Sequence, residues 1–369
     1  MRKLNFIKNP LGNTEIEWRE LGTIVQTVTA PSKLNRKSYC DKGKLPIIDQ
    51  GIKFIAGYTN EDLTTVEDGK YIIFGDHSEH IKYVDFAFIQ GADGLKILQP
   101  ISDKAKYIYY ALQNFYKKEL SYKRHWSLAK ETLIPIPYPN NLEKSLATQT
   151  EIVRILDAFT ELNVELNAEL VARRKQYTYY REYLLAFEEG KVEWKELGEL
   201  CEKIYSGKNK VKSELGLYPV FGSTGIIGRT DAKVYSKEQI LVARVGANAG
   251  RVNIAKGEYD VSDNTLIVQN KENIILKFLY YYLVNINLNR FTKGAGQPLL
   301  TAGQLKTMLI PLPPLAEQQR IVAILDKFEA LTTSLTEGLP REIELRQQQY
   351  EYYRELLLSF PKPEVVEHD

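Results

Sequence analysis

An internal repeat is the feature that most constrains how this chain of 369 residues can fold. Residues 17–22 (EWRELG) recur as 193–198 (EWKELG), and residues 133–137 (LIPIP) recur as 309–313 (LIPLP). Two further matches extend each copy, joining residues 149–157 to 318–326 and residues 176–187 to 349–360. Because similar sequences adopt similar folds, the chain is predicted to be a tandem repeat with pseudo-twofold symmetry.

The interiors of the two copies differ, since residues 23–132 and 199–308 share little sequence. A repeated frame around divergent interiors favours two modules that dock on one symmetric arrangement of partners while each faces a different target. Drift along the whole of an old duplication is the alternative. The length also favours division into domains, because single hydrophobic cores stop growing at about 250–300 residues.

The repeated frame is predicted to be helical. Apolar residues recur every three or four positions from Ile152 to Leu170 and from Ile321 to Leu335, which is the period of an amphipathic helix. Gly338 and Pro340 are expected to interrupt the second copy, with a new helix near Arg341. Two such helices would bury their apolar stripes on each other as an antiparallel coiled coil. At about 1.5 Å per residue, a helix of roughly 30 residues spans about 45 Å, so the pair would act as a ruler that sets the distance between the globules.

Each interior is predicted to be a mixed α/β globule, because short β-branched runs alternate with glycine turns before a single helical stretch. The predicted fold class is therefore α+β, with two globules separated by long helices. The predicted domains are a first globule at residues 1–140, a helical spacer at 141–190, a second globule at 191–313, a second spacer at 314–360 and a flexible tail at 361–369.

Charge alternates along the chain, although the net charge is only +2. Lysine and arginine exceed acidic residues by four in residues 1–133 and by six in residues 201–300, whereas acidic residues exceed them by four in 134–200 and in 301–369. Basic surfaces attract phosphates, so the two globules are the candidate nucleic-acid faces, with chance scatter as the alternative. Only Cys40 and Cys201 are present, and no apolar run is long enough to span a membrane, which favours a cytoplasmic protein.

The second globule carries glycine turns at residues 222–228, 246–250 and 294–296. Backbone amides in such turns can approach a phosphate or a groove edge, although tight turns between strands would have the same sequence. Arg244 is a candidate guanine reader, and Asn248 and Gln297 are candidate adenine readers. The predicted DNA-binding residues of this globule are Lys208, Lys210, Lys212, Ser223, Thr224, Arg229, Arg244, Asn248, Arg251, Lys293 and Gln297.

The first globule has two basic stretches, at residues 33–37 and 122–126, suited to phosphates and base edges or, alternatively, to solvated loops. Residues 76–80 (DHSEH) resemble a metal site, but no further cluster completes one, and a polar loop or a DNA contact is preferred. No metal ligand is therefore predicted. The predicted DNA-binding residues of this globule are Lys33, Asn35, Arg36, Lys37, His77, Ser78, Lys123, Arg124 and His125.

Sequence motifs of common catalytic sites are missing. The chain contains no methyltransferase motif of the Asn-Pro-Pro-aromatic kind, no phosphate-binding P-loop, no zinc-protease helix and no serine elbow. No catalytic residue is predicted.

The repeated frame closely resembles the specificity subunits of type I restriction-modification enzymes. The resemblance is carried by residues 310–326 (IPLPPLAEQQRIVAILD), by their counterparts at 134–137 and 149–157, and by the QYxYYRE endings at 176–182 and 349–355. It extends over nearly the whole chain. One departure is a seven-residue insertion in the first copy, between residues 137 and 149, where docking is expected to differ from the second copy.

The resemblance implies a subunit without catalysis of its own, in which each globule reads one half of a split site in double-stranded DNA. Two methyltransferase subunits would dock on the helical regions, and restriction/translocase subunits would join them. S-adenosylmethionine, ATP and magnesium would then belong to those partners. The predicted docking residues are Gln149, Arg154, Tyr177, Tyr180, Arg181, Gln318, Arg320, Tyr350, Tyr353 and Arg354. A stand-alone DNA-binding regulator is the principal alternative, and a catalytic nuclease or methyltransferase is a less favoured one.

Overall fold

The computed structural model describes residues 14–121, 123–210, 213–294 and 296–360. Lys212 and the tail at 361–369 lie outside the described residues. The chain forms two compact units, one from Met1–Glu165 with Glu344–Asp369 and the other from Leu166–Ile343. Each unit therefore combines one globule with parts of both helical regions.

The first globule consists of short strands framed by one antiparallel pair. Its elements are β1 (Ile16–Glu20), α1 (Leu21–Ile24), β2 (Val25–Val28), β3 (Leu45–Ile48), β4 (Gly57–Thr59), β5 (Tyr71–Gly75), β6 (Ile81–Val84), β7 (Ile89–Gln90), β8 (Leu95–Pro100), α2 (Ala105–Phe115), α3 (Trp126–Ala129) and β9 (Leu133–Pro137). β1 pairs with β9, a second sheet has the order β2-β8-β5-β6, and a third has the order β4-β3-β7.

The helix α4 (Leu142–Leu184) follows and contributes residues to both units. The remaining elements are β10 (Glu193–Glu196), α5 (Leu197–Leu200), β11 (Cys201–Ser206), β12 (Tyr218–Gly222), β13 (Gly225–Thr230), β14 (Gln239–Ala243), β15 (Val252–Ala255), β16 (Asp260–Val261), β17 (Thr265–Asn270), α6 (Leu276–Asn285), α7 (Ala302–Lys306), β18 (Leu309–Leu312), α8 (Leu315–Thr333) and α9 (Gly338–Leu357).

The topology of the second globule repeats that of the first. β10 pairs with β18, one sheet has the order β11-β17-β14-β15, and another has the order β13-β12-β16. β12 pairs in parallel with β16 as β3 pairs with β7, whereas their other neighbours are antiparallel. The divergent interiors therefore share one fold although their sequences do not align by eye.

In each unit, α4 packs antiparallel against a helix of the second copy, as predicted, whereas the stripe residues Ile152 and Ile321 lie in the cores of separate units. In the first unit, the rings of Phe159 and Tyr353 stack with their centroids 5.2 Å apart. The Nδ2 of Asn163 donates to the Oε1 of Gln347 at 3.5 Å. In the second unit, the ring of Phe328 on α8 stacks on Tyr180 of α4 at 5.4 Å, and Arg174 of α4 donates to the Thr332 carbonyl at 3.5 Å, so these two helices are antiparallel as well. Rising residue numbers on α4 meet falling numbers on α9 in the first unit, and aromatic packing holds the contact.

The predicted interruption between α8 and α9 is present. Gly338 has a φ of +80°, and a β-carbon on it would collide with the carbonyl oxygen of Ala330. α9 begins at Gly338, three residues before the predicted Arg341. The reason is that proline has no N–H to lose in the first turn of a helix, so Pro340 is tolerated inside α9.

Candidate nucleic-acid interface

Several loops of the first globule meet at one edge. The Nζ of Lys33 lies 3.2 Å from the carboxylate of Asp93, and the side chain of Gln50 donates to the Asp93 carbonyl at 3.0 Å. The Gln50 side chain also accepts from the backbone N–H of His77 at 3.1 Å, and the Nδ1 of His77 lies 3.1 Å from the carbonyl of Lys123. This chain of contacts brings Lys33, His77 and Lys123 onto one surface although 90 residues separate the first from the last.

Most of the predicted DNA-binding side chains of this globule face solvent. The exposed ones are Lys33, Asn35, Arg36, Lys37, Lys123 and Arg124, whereas His77 and Ser78 are half-buried. Arg36 and Lys37 lie in a 3-10 turn, and the Ser78 hydroxyl donates to the Gln50 carbonyl at 2.5 Å. The cations are therefore displayed on loops that backbone contacts hold in place.

His125 differs from its neighbours because its side chain is fully buried. Its Nε2 lies 2.8 Å from the Ser121 carbonyl, and its backbone N–H donates to the Asp76 carbonyl at 2.8 Å. These contacts position the loop, and the buried side chain is not available for the direct contact with DNA that the sequence predicts.

The carboxylates of the loop at residues 76–80 are also turned inward. Asp76 accepts from the backbone N–H of Trp126 at 2.8 Å. Glu79 accepts from the Tyr116 hydroxyl at 2.6 Å and from two backbone N–H groups. Burial alone would raise the pKa of Glu79, but these hydrogen bonds and nearby His125 outweigh it, and the pKa is lowered. Within the described ranges, no three potential ligands cluster closely enough to hold a metal ion.

The second globule assembles equivalent loops. The guanidinium of Arg244 donates to the Ser206 hydroxyl at 3.0 Å, at the end of β11. The backbone N–H of Gly246 donates to the Pro298 carbonyl at 3.0 Å, and the side chain of Asn289 donates to the Ala249 carbonyl at 2.8 Å. The loops after β11, between β14 and β15 and after α6 therefore meet, as do the loops after β2, between β5 and β6 and after α2.

Arg244 is half-buried and contacts Ser206 at the end of β11 and the Asp263 carbonyl before β17. Its Nε is buried and has no hydrogen-bond partner among the residues that the structure describes. The exposed cations and polar groups on the loops that meet here are Lys208, Lys210, Arg251, Lys293 and Gln297, and Asn248 is half-buried in the same loop as Arg244. Gly250 has a φ of +89°, and a β-carbon there would collide with the backbone nitrogen of Asn289, so this close packing requires glycine.

The turn between β12 and β13 holds the remaining predicted residues. Ser223 and Thr224 form its tip, and they follow Phe221, whose carbonyl accepts from Ser262 at 2.8 Å. Arg229 lies toward the other end of the hairpin and donates to the carbonyls of residues 216 and 217, both at 2.7 Å. Arg229 therefore braces a loop with its guanidinium, whereas Ser223 is half-buried and Thr224 is exposed at the turn.

The predicted docking residues fall into two groups. Gln149 and Gln318 are fully buried, and each accepts a hydrogen bond from a backbone N–H just before α2 or α6, at 2.9 and 2.8 Å. Arg154 and Arg320 are exposed and pair with a glutamate three residues earlier. The aromatic members pack on the neighbouring helix, and a guanidinium lies over a ring in both copies; these residues are Tyr177, Tyr180, Arg181, Tyr350, Tyr353 and Arg354.

Among the described residues of α4 and α9, three other tyrosines are exposed to solvent. Tyr179, Tyr183 and Tyr352 are 62, 66 and 62% exposed, and the rings of the first two stack 6.1 Å apart. Tyr179 and Tyr352 occupy matching positions in the repeat. The signal for them was helical periodicity, because a residue next to a buried-face tyrosine points away from that face.

No helix in the described part of the chain is long and apolar enough to cross a membrane.

Comparisons with known proteins agree with this architecture. Residues 13–173 and 189–345 match the family described as type I restriction modification DNA specificity domain. The chain is 40% identical to the EcoR124I/EcoR124II specificity subunit of Escherichia coli, across 99% of this chain and 100% of that protein. It is 39% identical to the EcoprrI specificity subunit of the same organism, across 56% and 55% of the two chains. The crystal structure of a type I restriction-modification S subunit from M. genitalium shares the fold, with a TM-score of 0.63 at 17% identity over 95% of this chain and 98% of that one. The chain belongs to the family of type I restriction-modification specificity subunits.

Proposed function

We propose that this chain reads a split site in double-stranded DNA, with one globule on each half-site, and that it has no catalysis of its own. The observation that carries the proposal is the repetition of loop positions. In both globules, a lysine lies on the loop after the first strand of the four-stranded sheet, Lys33 after β2 and Lys208 after β11. Another lysine lies after the helix that follows the sheet, Lys123 after α2 and Lys293 after α6. Both loops meet the loop between the last two strands of that sheet.

The chemistry of these loops suits duplex DNA. Lysine and arginine neutralise phosphates and release counterions, while arginine, asparagine and glutamine can read base edges in the major groove. The residues available for base contacts differ between the globules. Arg244, Asn248 and Gln297 in the second have no counterpart of the same type among His77, Ser78 and Lys123 in the first. Different residues at equivalent positions would give two different half-sites.

The helices support a docking role for methyltransferase subunits. Tyr179 and Tyr352 are exposed at matching positions, and Arg154 and Arg320 repeat one exposed ion pair. Two copies of one partner would meet two similar surfaces, and restriction/translocase subunits would join that core. S-adenosylmethionine, ATP and magnesium are proposed to bind those partners and not this chain.

Footprinting tests the proposal. The full chain, purified with the methyltransferase subunits of its own system, should protect two specific DNA segments that flank an unspecific spacer. One continuous protected site would contradict the reading of half-sites by two globules. The chain without methyltransferase subunits is the matched comparison, since tight specific binding by it alone would favour the stand-alone regulator.

A deletion in α4 tests whether the helix sets the spacer. Removing four residues near Leu162 shortens the helix by about 6 Å. The preferred spacer should change while both half-sites stay the same. A change of half-site sequence would show that the helix does not act as a ruler.

A further inference from the structure

Leu120 is displayed to solvent in a way that needs a reason. Its side chain is 86% exposed, and its backbone has a φ of +56°, a conformation that branched side chains rarely adopt. Strained residues persist only where surrounding contacts hold them, and they are concentrated at functional sites.

The contacts that hold Leu120 come from one buried carboxylate. Glu79 accepts from the backbone N–H of Leu120 at 2.8 Å and from that of Glu119 at 2.9 Å, and the Tyr116 hydroxyl donates to it at 2.6 Å. Glu79 itself has a φ of +54°, and its carboxylate lies 3.5 Å from the Nδ1 of buried His125. Two left-handed residues and a buried charge thus fix the direction in which an apolar side chain projects.

The surroundings of Leu120 indicate what it meets. Four exposed cations lie within four residues of it in sequence, namely Lys117, Lys118, Lys123 and Arg124. Glu119 is the acidic residue of this stretch, and it lies 2.5 Å from the Nζ of Lys123. Leu120 lies three residues before Lys123, whose carbonyl is 3.1 Å from the Nδ1 of His77, so its loop borders the candidate nucleic-acid interface.

We propose that Leu120 is an apolar wedge that enters between base pairs of the half-site read by the first globule. The inference rests on the proposed function, because it needs this surface to face DNA. Proteins that kink DNA from the minor groove insert leucine or similar side chains between base steps, beside basic side chains in the same groove. The two backbone hydrogen bonds to Glu79 suit this role, since they oppose a movement of the loop away from the bases. The shape and stacking of one base step would then contribute to specificity without a hydrogen bond to a base edge.

Fluorescence of 2-aminopurine tests the wedge. The half-sites are first found by sequencing modified adenines, and 2-aminopurine is then placed at successive positions of the half-site read by the first globule. The complex with methyltransferase subunits should raise fluorescence at one step other than the target adenine. Leu120→Ala should remove that signal and weaken binding about tenfold, with an unchanged dependence on salt because no phosphate contact is lost.

Two variants separate insertion of Leu120 from a change elsewhere in the complex. Leu215→Ala removes a leucine that is 83% exposed on the second globule, and it should leave the signal unchanged. Glu79→Gln keeps Leu120 but loosens its backbone, and it should lower the signal. Unchanged fluorescence and affinity in Leu120→Ala would overturn the wedge while half-site reading stands. Loss of methyltransferase binding in Leu120→Ala would also overturn the wedge. So would an equal loss of affinity when one thymine is replaced by deoxyuridine, because Leu120 would then contact the thymine methyl group and not enter between base pairs. A parent complex that binds no specific DNA would refute the proposed function itself.

Discussion

Replacing Gln318 by alanine is expected to destabilise the second unit by about 3 kcal/mol without removing any exposed group. The side chain accepts from the backbone N–H of Ile275 at 2.8 Å and donates to the carbonyl of Pro313 at 2.9 Å. Both partners would be left without these bonds in a buried site, and each unsatisfied group costs about 1–3 kcal/mol. Gln149 makes the matching contact before α2, so Gln149→Ala should act on the first unit in the same way.

Amide hydrogen exchange on the full chain measures this effect, because exchange resolves local stability where one unfolding transition would not. Gln318→Ala should speed exchange in α6 and leave α2 unchanged, and Gln149→Ala should do the reverse. Arg320→Ala is the control, since its exposed ion pair contributes less than about 1 kcal/mol. Unchanged exchange in Gln318→Ala, together with loss of methyltransferase binding, would refute the internal role and favour the predicted docking role.

Further perturbations test other parts of the structure. The pKa of Glu79 lies below its usual value of 4.5. The ionised carboxylate should therefore stabilise the fold fully above pH 4.5, and this stabilisation should disappear as the pH falls through the lowered pKa. The difference in urea midpoint between the parent and Glu79→Gln should shrink on acidification, and a constant difference would contradict this. Gly338→Ala should lower the free energy of unfolding by more than about 2 kcal/mol, because the new β-carbon would meet the carbonyl oxygen of Ala330. Gly190→Ala, at a φ of +83° in open space, should lower it by about 1 kcal/mol. Thermal unfolding measures both losses. Equal losses would show that the contact does not matter. In DNA binding by the complex, Lys208→Ala should reduce the slope of log affinity against log salt concentration by about one, and Arg244→Ala should relax the specificity at one base position. If Lys208→Ala relaxed specificity and Arg244→Ala changed the salt slope, Lys208 would be the base reader and Arg244 the phosphate contact.

The frame of the molecule could be predicted because its information is local and repeated. The stripe from Ile152 to Leu170 predicts α4 by its period, and the second copy supports the first. Pairing between strands is not local, however. β5 (YIIFG) and β14 (QILVA) hold equivalent places in their sheets although their sequences share little, because many apolar combinations fill one buried strand.

Site residues were harder to place because burial depends on distant parts of the chain. His125 and Gln318 are polar and lie beside basic or amphipathic sequence, which favours an exposed position. The structure buries both side chains, and each has a hydrogen-bonding contact there, His125 with the Ser121 carbonyl and Gln318 with the Ile275 N–H. The face of α4 also had to be known before Tyr179 could be told apart from Tyr180.

Sequencing the modified adenines of cells that contain this chain and its methyltransferase subunit tests the central claim most directly. Two short specific segments separated by an unspecific spacer of fixed length should emerge. Substitution of Arg244 should change the segment assigned to the second globule and leave the other as it was. A single contiguous motif, or a change in both segments from this one substitution, would contradict the account.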